Sequence, residues 1–163
     1  MSNKMKKKAG IKAKSETVKV VMRVRPMSKK ELANGRIKSV HIDAENATVS
    51  VSNPAAPTSQ PKQFTFDKTY GADAKQQDIY DQTGAPIVED VLKGFNGTIF
   101  CYGQTGAGKS FTMEGVPDNP TLRGIIPNSF RHIFDKIAVS KSDLKQFLVR
   151  ASVCSVGSLA ALV

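Results

Sequence analysis

Eight consecutive residues, Gly103 to Ser110 (GQTGAGKS), carry the spacing G-x-x-x-x-G-K-[ST] of a phosphate-binding loop. Glycine suits this chemistry because backbone N–H groups must close around phosphate oxygens, and a Cβ would hold the chain away from the ligand. Lys109 is placed to reach the terminal phosphates, and Ser110 to offer its hydroxyl to Mg²⁺. Gln104, Thr105 and Ala107 contribute through their backbone donors more than through their side chains, as do the glycines Gly103, Gly106 and Gly108.

Such a loop needs a strand before it and a helix after it. The apolar, β-prone run Gly97 to Tyr102 (GTIFCY) supplies the first, and a helix is expected from about Lys109. Its N-terminus would add free donors and a partial positive charge. Upstream, Val18 to Val24 (VKVVMRV) reads as a buried strand closed by Pro26. Residues 28 to 36 read as a polar turn or short helix, with Asn34-Gly35 as a turn. Short strands are expected near Ser39 to Ile42, Thr48 to Ser52 and Phe64 to Phe66, with the proline-containing segment 53 to 62 as a mobile loop.

Between Gln76 and Leu92, Tyr80, Thr83, Ile87, Val88, Val91 and Leu92 recur at helical spacing. Gly84 and Pro86 interrupt that pattern, predicting a kink or two pieces, and Gly94 is a candidate C-cap. After the turn at Asp118-Asn119-Pro120, a second amphipathic helix is expected with Phe130, Ile133, Phe134 and Ile137 on one face and Pro127 in its first turn. Gln146 to Val149 reads as the start of another strand. This order predicts an α/β sheet of the doubly wound, nucleotide-binding kind.

A length of 163 residues suggests one domain, and 40% hydrophobic with 23% charged residues is ordinary for a globular chain. The net charge of +10 is concentrated at one end. Six lysines precede the first acid, Glu16, leaving 18 basic against 14 acidic groups in the rest. Residues 1 to 16 therefore read as a basic, disordered leader, with an acidic partner as its functional alternative. The leader lacks the apolar core of a signal peptide, and no apolar run is long enough to span a membrane. Cys101 and Cys154 lack metal-ligand spacing and read as reduced and buried. His41 and His132 read as surface histidines, and Asp67 and Glu114 as structural partners.

The segments RVRP, FTFDKTYG, GFNGTIFCYGQTGAGKSFTMEG, LRGIIPNSFRHIF and FLVRAS together resemble the kinesin motor domain, in order and in spacing, over about residues 18 to 152. The wording of LRGIIPNSF and FLVRAS is most similar to the heterotrimeric kinesins of ciliary transport. The resemblance implies a P-loop NTPase-type central sheet with flanking helices, here about the first half of the motor. It also implies ATP or ADP with Mg²⁺ as cofactors, microtubules as partner, microtubule-based movement, and a cytoplasmic, cytoskeletal or ciliary location, without specific nucleic-acid binding. It places the adenine against Arg23, Arg25, Pro26 and Phe111. A guanidinium and an aromatic ring can sandwich a flat base, and proline offers a rigid apolar edge.

Two segments with which kinesins hydrolyse ATP, Asn-x-x-Ser-Ser-Arg-Ser-His and Asp-Leu-Ala-Gly-Ser-Glu, do not occur in these 163 residues. No catalytic residue is therefore assigned, and binding without hydrolysis stands as the alternative function. The resemblance breaks at residues 153 to 163, an uncharged tail read as an altered frame, a retained intron or a truncated gene. Domain boundaries are expected at 1–16, 17–152 and 153–163. Because the kinesin sheet flanks the loop-bearing strand with later strands, Thr98 to Tyr102 is expected to lose both ladder partners and the chain to be aggregation-prone.

Overall fold

The structure, a computed structural model, describes residues 18–116, 118–140 and 147–150, and the backbone of 160–162. The basic leader, Gln146 and Cys154 lie outside the described residues. The first half runs β1 (Val21–Arg23), α1 (Lys29–Ala33), β2 (Val40–Asp43), β3 (Thr48–Val51), β4 (Lys62–Thr65) and β5 (Lys68–Tyr70). Next come α2 (Gln76–Ile79), a π-helical turn (Tyr80–Gly84), α3 (Ala85–Leu92), β6 (Ile99–Cys101) and α4 (Lys109–Met113). A 3₁₀ turn (Pro120–Leu122), α5 (Ile125–Ser140) and β7 (Ala160–Leu162) complete the order.

The fold is α/β, built on small sheets. β1 and β5 pair in parallel, β2, β3 and β4 form an antiparallel meander, and β6 pairs antiparallel with β7. The turn between β2 and β3 closes because the Asp43 carboxylate accepts from the backbone N–H groups of Glu45 and Asn46 at 3.1 and 3.0 Å. Gly84 and Pro86 divide the first long helix as expected. The interruption is the π turn, which seats Tyr80 and Gly84 in the interior between α2 and α3. Gly94 ends α3 with φ +97°, a left-handed value that favours glycine.

Several expectations need correction. Only Val21 to Arg23 of the valine-rich run enters a ladder, and Val18 (80% exposed) and Val20 (51%) are open because β1 has a single neighbour. β5 was not expected at all: Lys-Thr-Tyr is too short and polar to announce itself, yet Thr69 and Tyr70 are buried beside β1. Residues 147–150 carry no regular structure. On α5 the buried residues are Ile125, Asn128 and Ser129, while Phe130 and Phe134 are exposed. The helix turns its polar-containing side toward α3 and the π turn, through His132 and Lys136 on Glu89 and Tyr80. β6, finally, keeps one ladder partner: Ile99, Phe100 and Cys101 stand opposite Leu162, Ala161 and Ala160.

The core lies under the loop-bearing strand. Tyr80, Met113 and Ile125 form its buried centre, with Ala85, Ile99, Cys101 and Ile126 packed around them. It therefore joins the π turn, the end of α4, the start of α5 and β6. The same contacts fix where the glycine-rich loop leaves the strand and where the helix after it begins.

Candidate nucleotide-binding site

The loop from Gly103 to Gly108 links β6 to α4, as its spacing requires. Gly106 (φ +78°) and Gly108 (φ +99°) occupy left-handed conformations, and Gly108 is the N-cap of α4. Alternating left- and right-handed residues turn successive N–H groups toward one concavity, the geometry of an anion nest. Among the described residues, the N–H groups of Thr105, Gly106, Gly108, Lys109 and Ser110 donate to no protein acceptor, whereas that of Ala107 donates to Gln104 at 3.1 Å. The loop is thus a row of open donors at an exposed turn. It suits an anionic ligand and nothing apolar.

Lys109 folds back across the loop, its Nζ donating to the carbonyls of Gly103 (2.9 Å) and Gln104 (3.1 Å). Ser110 stands exposed on the first turn of α4. No group of three or more His, Cys, Asp or Glu residues among the described residues could hold a metal. A single loop hydroxyl agrees with the habit of Mg²⁺, which takes few protein ligands and completes its shell with phosphate oxygens and water.

Arg25 is bound into the loop from the opposite side. Its Nε donates to the carbonyl of Gly106 at 2.9 Å, and Nη1 and Nη2 grip both oxygens of Glu31 at 2.8 and 2.7 Å. Glu31 in turn closes a capping box with Ser28 at the start of α1, so the loop, the strand end and the helix are tied through one guanidinium. Pro26 follows at the exposed strand end. Sequence reading missed Glu31, although Ser28-x-x-Glu31 is a legible capping signal.

That pairing gives a pH prediction. Arg25, and then Ser28, hold the Glu31 carboxyl far below the usual carboxylate range. A depressed folded-state pKa contributes stability above the unfolded pKa and loses it as pH falls toward the folded one. Glu31→Gln should therefore lower the melting temperature at neutral pH. The difference from the parent should narrow steadily as pH drops below about 4. Both side chains are exposed, so the effect is small; a gap that widens on acidification would contradict the assignment.

Arg23 and Phe111 do not stand apart as two sides of a sandwich. The guanidinium lies 5.1 Å from the centre of the phenyl ring, in direct cation–π contact. Arg23 Nη1 also donates to Gln76 Oε1 (2.7 Å) and Thr112 Oγ1 (2.9 Å), and partial burial draws its pKa below the usual value. Together the two side chains form a fixed shelf beside the loop. Cys101 on β6 is a half-buried free thiol whose pKa is pushed up by burial, partly offset by Arg23 and Lys109.

Away from the loop, His132 is less exposed than its sequence suggested, whereas His41 is exposed as expected. His132 Nε2 donates to Glu89 Oε1 at 2.9 Å, so Nδ1 accepts from the Tyr80 hydroxyl, also at 2.9 Å. Lys136 shares the same Glu89 oxygen, and the hydrogen bonds from Lys136 first and His132 second hold the Glu89 carboxyl below its usual range. The chain of contacts locks α5 to α3 and the π turn. Asp67 fills the structural role expected of it, its carboxylate accepting from the Val20 N–H at 2.7 Å.

A glycine-rich loop between strand and helix, with open backbone donors and a lysine folded across it, on an α/β scaffold, is the arrangement of a phosphate-loop fold. A family profile described as the kinesin motor domain matches residues 23–157, and the chain belongs to that family of microtubule motors. It is 52% identical over 139 residues to the kinesin-like protein KIF3C of Pongo abelii and to that of Mus musculus, and 51% identical to that of Bos taurus. Each alignment covers 85% of this chain, which spans only 17% of the length of each relative.

Proposed function

We propose that this chain carries the nucleotide-binding half of a kinesin motor ATPase, holding ATP or ADP with Mg²⁺ in the loop Gly103–Ser110. The observation that carries the reading is the loop itself: five unused backbone N–H groups on left-handed glycine geometry, ahead of a lysine and a serine at the required spacing. The backbone from Gly103 to Ser110 would hold the phosphates, Lys109 would exchange its loop carbonyls for phosphate oxygens, and Ser110 would bind the metal. Arg23, Arg25, Pro26 and Phe111 would hold the base. Bound Mg²⁺ supplies charge neutralisation between phosphates; what these residues supply is position.

Hydrolysis and filament movement belong, on this reading, to the whole motor, with microtubules as partner and the cytoplasmic or ciliary cytoskeleton as location. The motor portion is residues 17–152. The basic stretch 1–16 would meet an acidic partner, and 153–163 would be the divergent, uncharged stretch that follows the motor portion. No described helix is long and apolar enough to cross a membrane.

Titration of the 163-residue chain with MgADP and MgATP by isothermal calorimetry tests the reading, with Mg²⁺-dependent, saturable 1:1 binding expected. Folded protein that binds neither nucleotide would end it. Phosphate release with and without microtubules then separates a motor from the alternative, a module that binds without turnover.

A further inference from the structure

Gln76, the first residue of α2, is 4% exposed and uses both ends of its amide. Oε1 accepts from Arg23 at 2.7 Å, while Nε2 donates to the carbonyls of Phe111 at 2.6 Å and Leu122 at 3.3 Å. Three elements distant in sequence thus meet on one buried side chain: the end of β1, the first turn of α4 and the 3₁₀ turn. Arg23 and Phe111, the two groups Gln76 holds, are also the two stacked on each other. A stacked pair presents a flat ligand with a surface only if both members are held in register, because a long guanidinium side chain otherwise loses little by swinging into water.

We propose that Gln76 is a positioning residue of the nucleotide site, one that sets the Arg23–Phe111 shelf against which a purine base stacks. The proposal rests on the nucleotide reading above. It assigns to Gln76 the base half of affinity and leaves the phosphate half to the loop. An amide is suited to the task because one side chain must both accept from a cation and donate to carbonyls. Leucine can do neither, and glutamate can only accept.

The test compares MgADP with magnesium tripolyphosphate, which has the phosphates and no base, on the full chain and on Gln76→Met and Gln76→Glu. Gln76→Met should weaken MgADP binding about tenfold, the value of one or two buried hydrogen bonds, and leave tripolyphosphate within about twofold. Gln76→Glu keeps an acceptor for Arg23 but sets a carboxylate against the Phe111 and Leu122 carbonyls, so it should lose at least as much MgADP affinity with the same selectivity for the base, its folding checked by urea midpoint. Equal losses for both ligands would make Gln76 a purely structural residue and overturn the proposal, as would no loss for either. A parent chain that binds tripolyphosphate as tightly as MgADP would also overturn it, because the shelf would then contribute nothing while the phosphate-loop reading survives. A parent that binds neither would remove both.

Discussion

Lys109→Ala should lower affinity for MgADP by about 10- to 100-fold and change the melting temperature of the free chain very little. The magnitude follows from the hydrogen bonds a lysine makes to charged phosphate oxygens, about 1.5–3 kcal/mol when one partner is removed. The small stability effect follows from what Lys109 does without ligand, when its Nζ bridges the part-buried carbonyl of Gly103 and the exposed carbonyl of Gln104. Both lie at the loop surface or its edge, where water can replace the ammonium. Lys109→Arg is a sharper control, since a planar fork keeps the charge but does not reproduce a point donor inside a tight backbone loop. Calorimetric titrations of the three proteins read the result directly. An alanine variant that binds within twofold of the parent would show that the lysine stays on its loop carbonyls and never meets phosphate.

The loop was the most legible part of the molecule because its chemistry is local: eight residues fix both their own backbone and the charge they present. The interrupted helix was legible for the same reason, Gly84 weakening and Pro86 restricting the backbone at their own positions. What escaped was set by partners far along the chain. β5 is three residues of mixed polarity whose burial depends on pairing with β1 some 47 positions earlier, a distance that no periodicity reports. Gln76 gave no signal because a single glutamine at a helix start is ordinarily a solvated residue; its burial is fixed by Arg23, Phe111 and Leu122 together. The sequence places Phe130, Ile133, Phe134 and Ile137 on one face of α5, but the residues α5 buries are Ile125, Asn128 and Ser129. Which side of α5 packs inward depends on the π turn and on Glu89, neither of which α5 itself encodes. The same holds for Arg23 and Phe111: their types suggested aromatic and cationic contact with a base, but their mutual stacking is a property of the fold.

Met113→Ala should cost about 2–4 kcal/mol of folding stability, a large effect for a single truncation. Met113 is fully buried and ends α4, the short helix that begins with Lys109, so one side chain anchors the element on which the loop terminates. Around it stand Tyr80 from the π turn and Ile125 from α5, with Ile99 and Cys101 of β6 packed against the same cluster. Removing the thioether leaves a void that Tyr80 cannot fill, because its hydroxyl is held at 2.9 Å by His132. The cavity term therefore adds to the lost transfer energy. Domains of ordinary stability hold only 5–15 kcal/mol in total, so the variant should unfold at a clearly lower urea midpoint with little change in slope. Met113→Leu, close in volume, should lose less than about 1.5 kcal/mol. Saturating MgADP should raise the midpoint of the alanine variant, since ligand that binds only the folded state stabilises it by mass action. An alanine variant within about 0.5 kcal/mol of the parent would mean that α4 is not held by this core, and that the loop geometry has some other support.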